Sequence, residues 1–221
     1  MSENPSPARP EDNKGDILDQ SVRNFITATA SKSPTPGGGS IAALAGAVAA
    51  ALAQMCVQYT LGKKKYEQHR SALEQGIERL DRYARLMQDF VQEDIAAYQN
   101  LSGFMRLSEA DRQLHPEYAV AVRRAIEAPL NVAGLALHIL EECDRLLDKT
   151  NEWLLSDLGI AALLAHATVG ASELNVLANL RLVDGAQAQT YRLKLQDNTL
   201  KADLLLNGIR GHMAQTYGPK P

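Results

Sequence analysis

Apolar residues recur in steps of three and four along most of the chain, the period of helices with one buried face. The longest such row is Leu73, Ile77, Leu80, Ala84, Met87, Val91, Asp94, Tyr98 and Leu101, in a helix predicted from about Tyr66 to Phe104. An earlier helix is predicted over Asp16–Ala30, with Leu18, Val22, Phe25 and Ile26 on one face. A second should open behind Pro36-Gly37-Gly38-Gly39, with Ser40 as N-cap, and reach about Leu61. Ser108 and Asp111 form a capping start ahead of a helix that opens near Pro116 and continues to about Cys143. Pro129 lies inside that helix, where a lost hydrogen bond and a ring clash predict a kink. Asn151 to Leu182 and Ala186 to Gly211 complete the series. No strand-like alternation and no internal repeat is visible.

The fold expected is all-α: a single multi-helical domain of six or seven helices over 16–212. A disordered tail at 1–15 precedes it and a C-terminal tail at 213–221 follows. Composition agrees. Alanine (32) and leucine (31) lead the helix-propensity ranking, while only 11 residues are aromatic, which disfavours a sandwich or barrel. With 23 basic against 26 acidic residues there is no broad basic field, so nucleic acid is not an expected partner. Cys56 and Cys143 are isolated, and neither they nor the five histidines have metal-ligand spacing. The unbroken apolar run Ile41–Ala53 is short for a membrane span and ends at Gln54. It also lies forty residues in, behind a polar leader, so no membrane partner is expected and the cytoplasm is the default.

The informative residues are those that break the bland background. Asp94 stands in the apolar row, where an unpaired buried charge would cost several kcal/mol. It is therefore paired, protonated, at a break in register or facing a wet cleft; a drifted seam would put it at a solvated edge. A carboxyl in an apolar wall has its pKa raised, as a general acid at neutral pH requires. Asp157 and Asn175 share an azimuth on the 151–182 helix but stand about 27 Å apart along it, and Asn179 is one turn further on. Asp157 also suits the first turns of a helix, where an acid complements the dipole, and the asparagines could bond across a helix interface. Gly37-Gly38-Gly39-Ser40 opening a helix can act as an anion cradle or as a plain turn. The small-residue face Ala42, Gly46, Ala49/Ala50 and Ala53 allows close packing, within the chain or across a subunit interface. Lys63, Lys64 and Lys65 at the other end of that helix suit a flexible polyanion.

Taken in order, several motifs resemble the cyclodeaminase/cyclohydrolase family of folate enzymes. They are Pro36-Gly37-Gly38-Gly39-Ser40 with its Ala-rich helix, Thr60-Leu61-Gly62-Lys63-Lys64-Lys65-Tyr66, and Asp94-x-x-Ala97-Tyr98. Arg124-Ala125 with Pro129-Leu130, Ser156-Asp157-Leu158, Asn175-Val176 and Asn179-Leu180 complete the set, which spans about 17–210. Leu155 departs from the basic or small residue expected before Ser156-Asp157.

The resemblance implies an all-helical homodimer acting on a tetrahydrofolate derivative, with no tightly bound cofactor and no metal. Its reaction would be closure of 5-formiminotetrahydrofolate to the 5,10-methenyl form with loss of ammonia. The alternatives are hydrolysis of the methenyl bridge to 10-formyltetrahydrofolate, or a non-catalytic folate-binding or scaffold role. Asp94 falls on the family's proton-transferring aspartate. Pro36, Gly37, Gly38, Gly39, Ser40, Lys63, Lys64 and Lys65 would meet substrate carboxylates or a polyglutamate tail. Tyr98, Asp157, Asn175 and Asn179 would line the rest of the site.

Overall fold

A computed structural model describes residues 17–218, so the tail expected at 1–15 lies outside the described residues. The described chain is helical throughout, with seven α-helices and no strand. After a 3-10 turn at Ile17–Asp19 come α1 (Val22–Thr29) and α2 (Gly38–Thr60). A second 3-10 stretch, Lys64–His69, leads into α3 (Arg70–Phe104). Then follow a short α4 (Glu109–Gln113), α5 (Pro116–Leu146), α6 (Leu155–Asn179) and α7 (Gly185–Tyr217). Residues 213–217, expected in a C-terminal tail, are the last turns of α7.

Helix α2 is the hub, packed mainly on α3 and α6, and α5 in turn packs on α6 and α3. Its small residues do this within the chain: Ala42, Ala49, Ala50 and Ala53 are buried. At Gly46 a β-carbon would come within 2.7 Å of Met87 Cε, so α3 lies directly on the α2 backbone. The pairs Gly46–Met87 and Gly39–Asp94 run α3 antiparallel to α2. Gly38–Asn175 at one end and Cys56–Leu154 at the other do the same for α6. One large core runs along the bundle, and a smaller one, including Leu101, Ile126, Val176 and Leu195, underlies one end. Between α3 and α5 the fully buried Glu142 is held by Arg79 through two hydrogen bonds of 2.7 and 2.8 Å, and by Arg145.

Two sequence expectations change. The 16–30 helix is broken at Ser21, whose hydroxyl caps α1 at Asn24, and only Phe25 of its apolar face is buried; Val22 and Ile26 are exposed. Helix α2 starts at Gly38 with Gly37 as its N-cap, so Ser40 is a helical residue and not the cap. Three glycines carry no side chain to end the helix, and it extends three residues further back than a serine cap implies.

The apolar helix is also longer than the run ended by Gln54. Gly38–Thr60 and Glu152–Leu182 are both long and apolar enough to cross a membrane. In the structure they are neighbours in the bundle, and α2 leaves one side uncovered.

Candidate active site

The missing cap of α2 is supplied from α3. Asp94 accepts a 2.8 Å hydrogen bond from Ser40 Oγ through Oδ2, and its carboxylate also takes the Ser40 backbone N–H. It thereby satisfies one of the free amides that every helix start exposes and places its charge at the positive end of the dipole. The approach is possible only because residue 39 is glycine: a β-carbon there would lie on the carboxyl group. Burial dominates these bonds and pushes the Asp94 pKa above its ordinary value; the two Ser40 bonds pull it part of the way back. Asp94 is thus neither a solvated edge residue nor a member of an ion pair.

Asp94 faces a cleft of about 260 Å³ formed by the 34–39 turn, α3, α5 and α6. Of the expected residues, Gly37, Gly38, Gly39, Asp94, Tyr98, Asn175 and Asn179 line it. Ser40 is buried behind Asp94, and Pro36 is buried within the turn. The Asn175 Oδ1 stands opposite Gly38, where a β-carbon would lie 3.2 Å from it, while its Nδ2 donates to Ala171 O at 3.2 Å. Asn179 Nδ2 donates to Ala125 O at 2.9 Å, tying α6 to α5 across the cleft floor.

Sequence reasoning did not assign the apolar lining to the site, namely Ala97, Leu101, Ala125, Pro129 and Ala178, with Pro34 and Thr35 at the turn, although Ala97, Ala125 and Pro129 stand in the family-like motifs. Part of it was available as the helical neighbours of marked residues, since Ala97 and Leu101 follow Asp94 by three and seven, and Ala178 follows Asn175 by three. The rest depends on how α5 packs.

The remaining expected residues lie elsewhere. Helix α2 is about 33 Å long, and Lys63, Lys64 and Lys65 sit beyond its far end. Lys65 is paired with Glu152 at 3.1 Å; Lys63 and Lys64 are exposed. Asp157 is at that end too, close enough to Cys56 that its charge, after burial, helps push the thiol up to about 12. Leu155 beside it is a core residue.

The glycine turn does hold a carboxyl group, and that group is the Asp94 side chain. The cleft lining contains no lysine, arginine or histidine. A larger hollow of about 600 Å³ on another side of α5, with Arg123, Lys194, Tyr118 and Tyr191, contains none of the expected residues. Chemistry follows Asp94 and not hollow size. Among the described residues no group of three or more His, Cys, Asp or Glu could hold a metal ion.

An all-helical protein with one desolvated carboxyl, oriented by a helix start and facing a small cleft, has the frame of an acid–base enzyme. Residues 21–197 match the family model described as formiminotransferase-cyclodeaminase, and the chain belongs to that family. It is 29% identical to methenyltetrahydrofolate cyclohydrolase of Methylorubrum extorquens, over 85% of this chain and 92% of that one. It is also 29% identical to formimidoyltransferase-cyclodeaminase of Rattus norvegicus, over 87% of this chain but only 37% of that longer protein. The solved structure of formiminotetrahydrofolate cyclodeaminase from Thermotoga maritima superposes with a TM-score of 0.77 at 26% identity, covering 90% of this chain and 96% of that one.

Proposed function

We propose that the protein is a folate one-carbon enzyme that closes 5-formiminotetrahydrofolate to 5,10-methenyltetrahydrofolate and releases ammonia, with Asp94 as its proton-transfer group. The observation that carries this is the Asp94 carboxyl, raised in pKa by burial yet held by Ser40 at the cleft wall. N10 attacks the formimino carbon on N5 and closes a five-membered ring with a tetrahedral carbon. For ammonia to leave, its nitrogen must gain two protons, one of which comes off N10. Asp94 donates to the departing amine and recovers the N10 proton; solvent supplies the second. A carboxyl that burial makes hold its proton more tightly suits that step, and one such group contributes about 10²–10⁴ in rate.

A second reading is favoured by the Methylorubrum relative, which matches along nearly its whole length. There Asp94 would take a proton from water as it adds to the cationic methenyl carbon, then return it to N5 as the carbon–N5 bond breaks. The other proton of the water would go to solvent, giving 10-formyltetrahydrofolate.

Tyr98, Asn175 and Asn179 would contact the pterin in either reaction. No tightly bound cofactor is required, since substrate carbon and nitrogen carry all the chemistry. The protein would act in the cytoplasm as a homodimer, which the uncovered apolar side of α2 supports: Ile41, Val48 and Tyr59 there are exposed.

Incubation with each substrate in turn tests the proposal. Ammonia release without opening of the methenyl bridge identifies the deaminase; bridge opening alone identifies the hydrolase. Folate binding with neither reaction would overturn both. Asp94→Asn should lower kcat about 10²–10⁴-fold while folate still binds. A variant near the wild-type rate would remove Asp94 from the mechanism.

A further inference from the structure

The larger hollow beside α5 lies apart from the proton-transfer residues, yet its walls are ordered. Its floor is Val122, Leu182 and Val183, laid over the smaller core that contains Ile126 and Leu195. Helices α5 and α7 form the two long sides. Helix α5 turns into α6 and meets it again at Ala125–Asn179, while α7 returns along α6 through Glu173–Thr199 and Gly159–Met213. Both therefore run antiparallel to α6 and lie side by side in the same direction. From Tyr118 to Glu127 the α5 side spans nine residues, about 14 Å. The volume of about 600 Å³ is more than twice that of the Asp94 cleft and falls within the 300–1,000 Å³ or so of small-molecule sites.

The charged groups of the hollow divide by sign. Glu127 Oε1 accepts from the Tyr191 hydroxyl at 3.3 Å. Asp184 Oδ1 accepts from the Gln187 backbone N–H at 2.9 Å, where its charge complements the start of α7. Arg123 and Lys194 are exposed, and neither forms an ion pair among the described residues. Arg123 is close enough to Tyr191 that its charge opposes the rise in phenol pKa caused by burial and by Glu127. The acids are committed within the protein, and the cations are left for a ligand.

The two rings are also set in advance. Tyr118 stands edge-on to Phe104, 5.7 Å between centroids, with the Arg112 guanidinium 5.7 Å from its own centroid. Tyr191 is held by Glu127. Side chains already held in place lose little conformational freedom when a ligand arrives.

We propose that this hollow is a second ligand site, separate from the Asp94 cleft, and that it takes an aromatic dianion. The ring lies against the tyrosines and the apolar floor, and the two negative charges meet Arg123 and Lys194. Two chemistries supply such a pair of charges. A phosphate monoester carries between about −1.5 and −2 at pH 7 on one group, and a dicarboxylate carries one charge on each of two. The Arg123 fork can take either group in two parallel hydrogen bonds, and Lys194 adds a point charge. A neutral ring would leave both cations unmatched, and a bare anion would leave the apolar floor uncovered.

Isothermal titration calorimetry on the full chain tests this with adenosine 5′-monophosphate, N-benzoylglutamate, adenosine and inorganic phosphate as probes. At least one of the two aromatic dianions should bind with a Kd of about 10–100 µM, and adenosine and phosphate at least about tenfold more weakly. Binding of the monophosphate alone identifies the ligand as a phosphate monoester; binding of N-benzoylglutamate alone identifies a dicarboxylate. Arg123→Gln and Lys194→Gln change exposed side chains, so each should keep the melting temperature of the free protein and weaken the dianion about tenfold. Asp94→Asn and Lys63→Ala/Lys64→Ala should bind it as the wild type does.

Four results would overturn the site. They are failure of both dianions to bind, adenosine or phosphate binding as tightly as the dianion, affinity that survives Arg123→Gln/Lys194→Gln, and affinity lost in Asp94→Asn or in the Lys63/Lys64 variant. The last would move the ligand to the cleft or to the far end of the bundle. None of these measurements involves turnover, so their outcome stands whether or not either folate reaction is found.

Discussion

Gly39 and Asp94 are packed so closely that the α2 backbone at residue 39 leaves no room for a β-carbon beside the carboxyl oxygens. The contact fixes where a proton can be delivered, because the carboxyl is wedged between the first turn of α2 and the cleft. Gly39→Ala must therefore push Asp94 aside. In an exposed helix this exchange would gain about 0.5–1 kcal/mol. Here it should destabilise the fold and lower kcat by about 10² or more, since misplacement of order 1 Å carries that penalty. Circular dichroism and steady-state kinetics on the variant check both effects. A stabilised variant with normal turnover would mean that Asp94 is not held where the structure places it.

Ser40 sets how easily Asp94 gives up its proton. Its hydroxyl donates to Oδ2 at 2.8 Å, which favours the charged carboxylate and opposes the effect of burial. Ser40→Ala deletes that bond but leaves the backbone N–H in place. The Asp94 pKa should rise, so the alkaline limb of the kcat–pH profile for ammonia release should move to higher pH. Ser40→Thr, which keeps a hydroxyl, should return it toward the wild type. A purely structural serine would change the amplitude of the profile without moving its limb.

The sequence marked Asp94 because it interrupts an apolar row of period 3.5, and the same arithmetic marked Asn175 and Asn179 on α6. Such signals survive without coordinates because a helix converts spacing directly into direction. What the spacing could not convey is who satisfies whom. Ser40 reads as a capping residue by type and position, yet three preceding glycines let the helix begin earlier and free its hydroxyl for Asp94. The glycine turn reads as an empty cradle, but the carboxyl group that fills it lies 54 positions beyond Ser40 along the chain. Lys63–Lys65 and Asp157 lie a helix length from Asp94 within one chain, in keeping with the roughly 27 Å that helix geometry sets between Asp157 and Asn175. Which group satisfies the start of α2 and which fills the glycine turn are questions about a partner on another helix, which periodicity within one helix cannot specify.

Burial of Asp94 has a thermodynamic consequence with a definite sign. Its folded pKa is raised, so above the ordinary aspartate value of 3.8 the native state holds more proton than the unfolded chain. The contribution of this residue to stability therefore falls as pH rises from 3.8 toward the folded value, and stays low beyond it. Asp94→Asn removes the titration and keeps a similar shape. The melting temperature of the variant, relative to wild type, should climb as pH rises above about 4 and level off once the folded carboxyl has titrated. Parallel melting curves across that range would show that Asp94 is not desolvated in the native state.

Arg79 and Glu142 give a control far from the cleft. Glu142 is fully buried between α3 and α5, with Arg79 bidentate to it and Arg145 a second partner. Removing one partner of a buried pair leaves an uncompensated charge and costs about 3–5 kcal/mol. Arg145 remains in Arg79→Met, so a loss near the lower end is expected in denaturant unfolding. Replacing both residues, as Arg79→Met/Glu142→Leu, should restore much of it, with kcat and KM of the folded protein unchanged throughout.

Asn175 and Asn179 sit one turn apart on α6 and both line the cleft, but their amides are committed differently. Asn179 spends its Nδ2 on Ala125 O and Asn175 O, so it joins α6 to α5. Asn175 bonds only its own helix, at Ala171 O, and its Oδ1 faces the start of α2 beside the cleft. Asn179→Ala should therefore cost about 1 kcal/mol of stability through the lost tether. KM and kcat should then change together as the cleft wall loosens. Asn175→Ala should leave the melting temperature close to wild type and raise KM about tenfold by removing an acceptor from the substrate, with kcat little changed. Melting curves and steady-state kinetics on the two variants separate the roles. A stability loss in Asn175→Ala equal to that of Asn179→Ala would make both residues tethers and leave the pterin without a side-chain acceptor on α6.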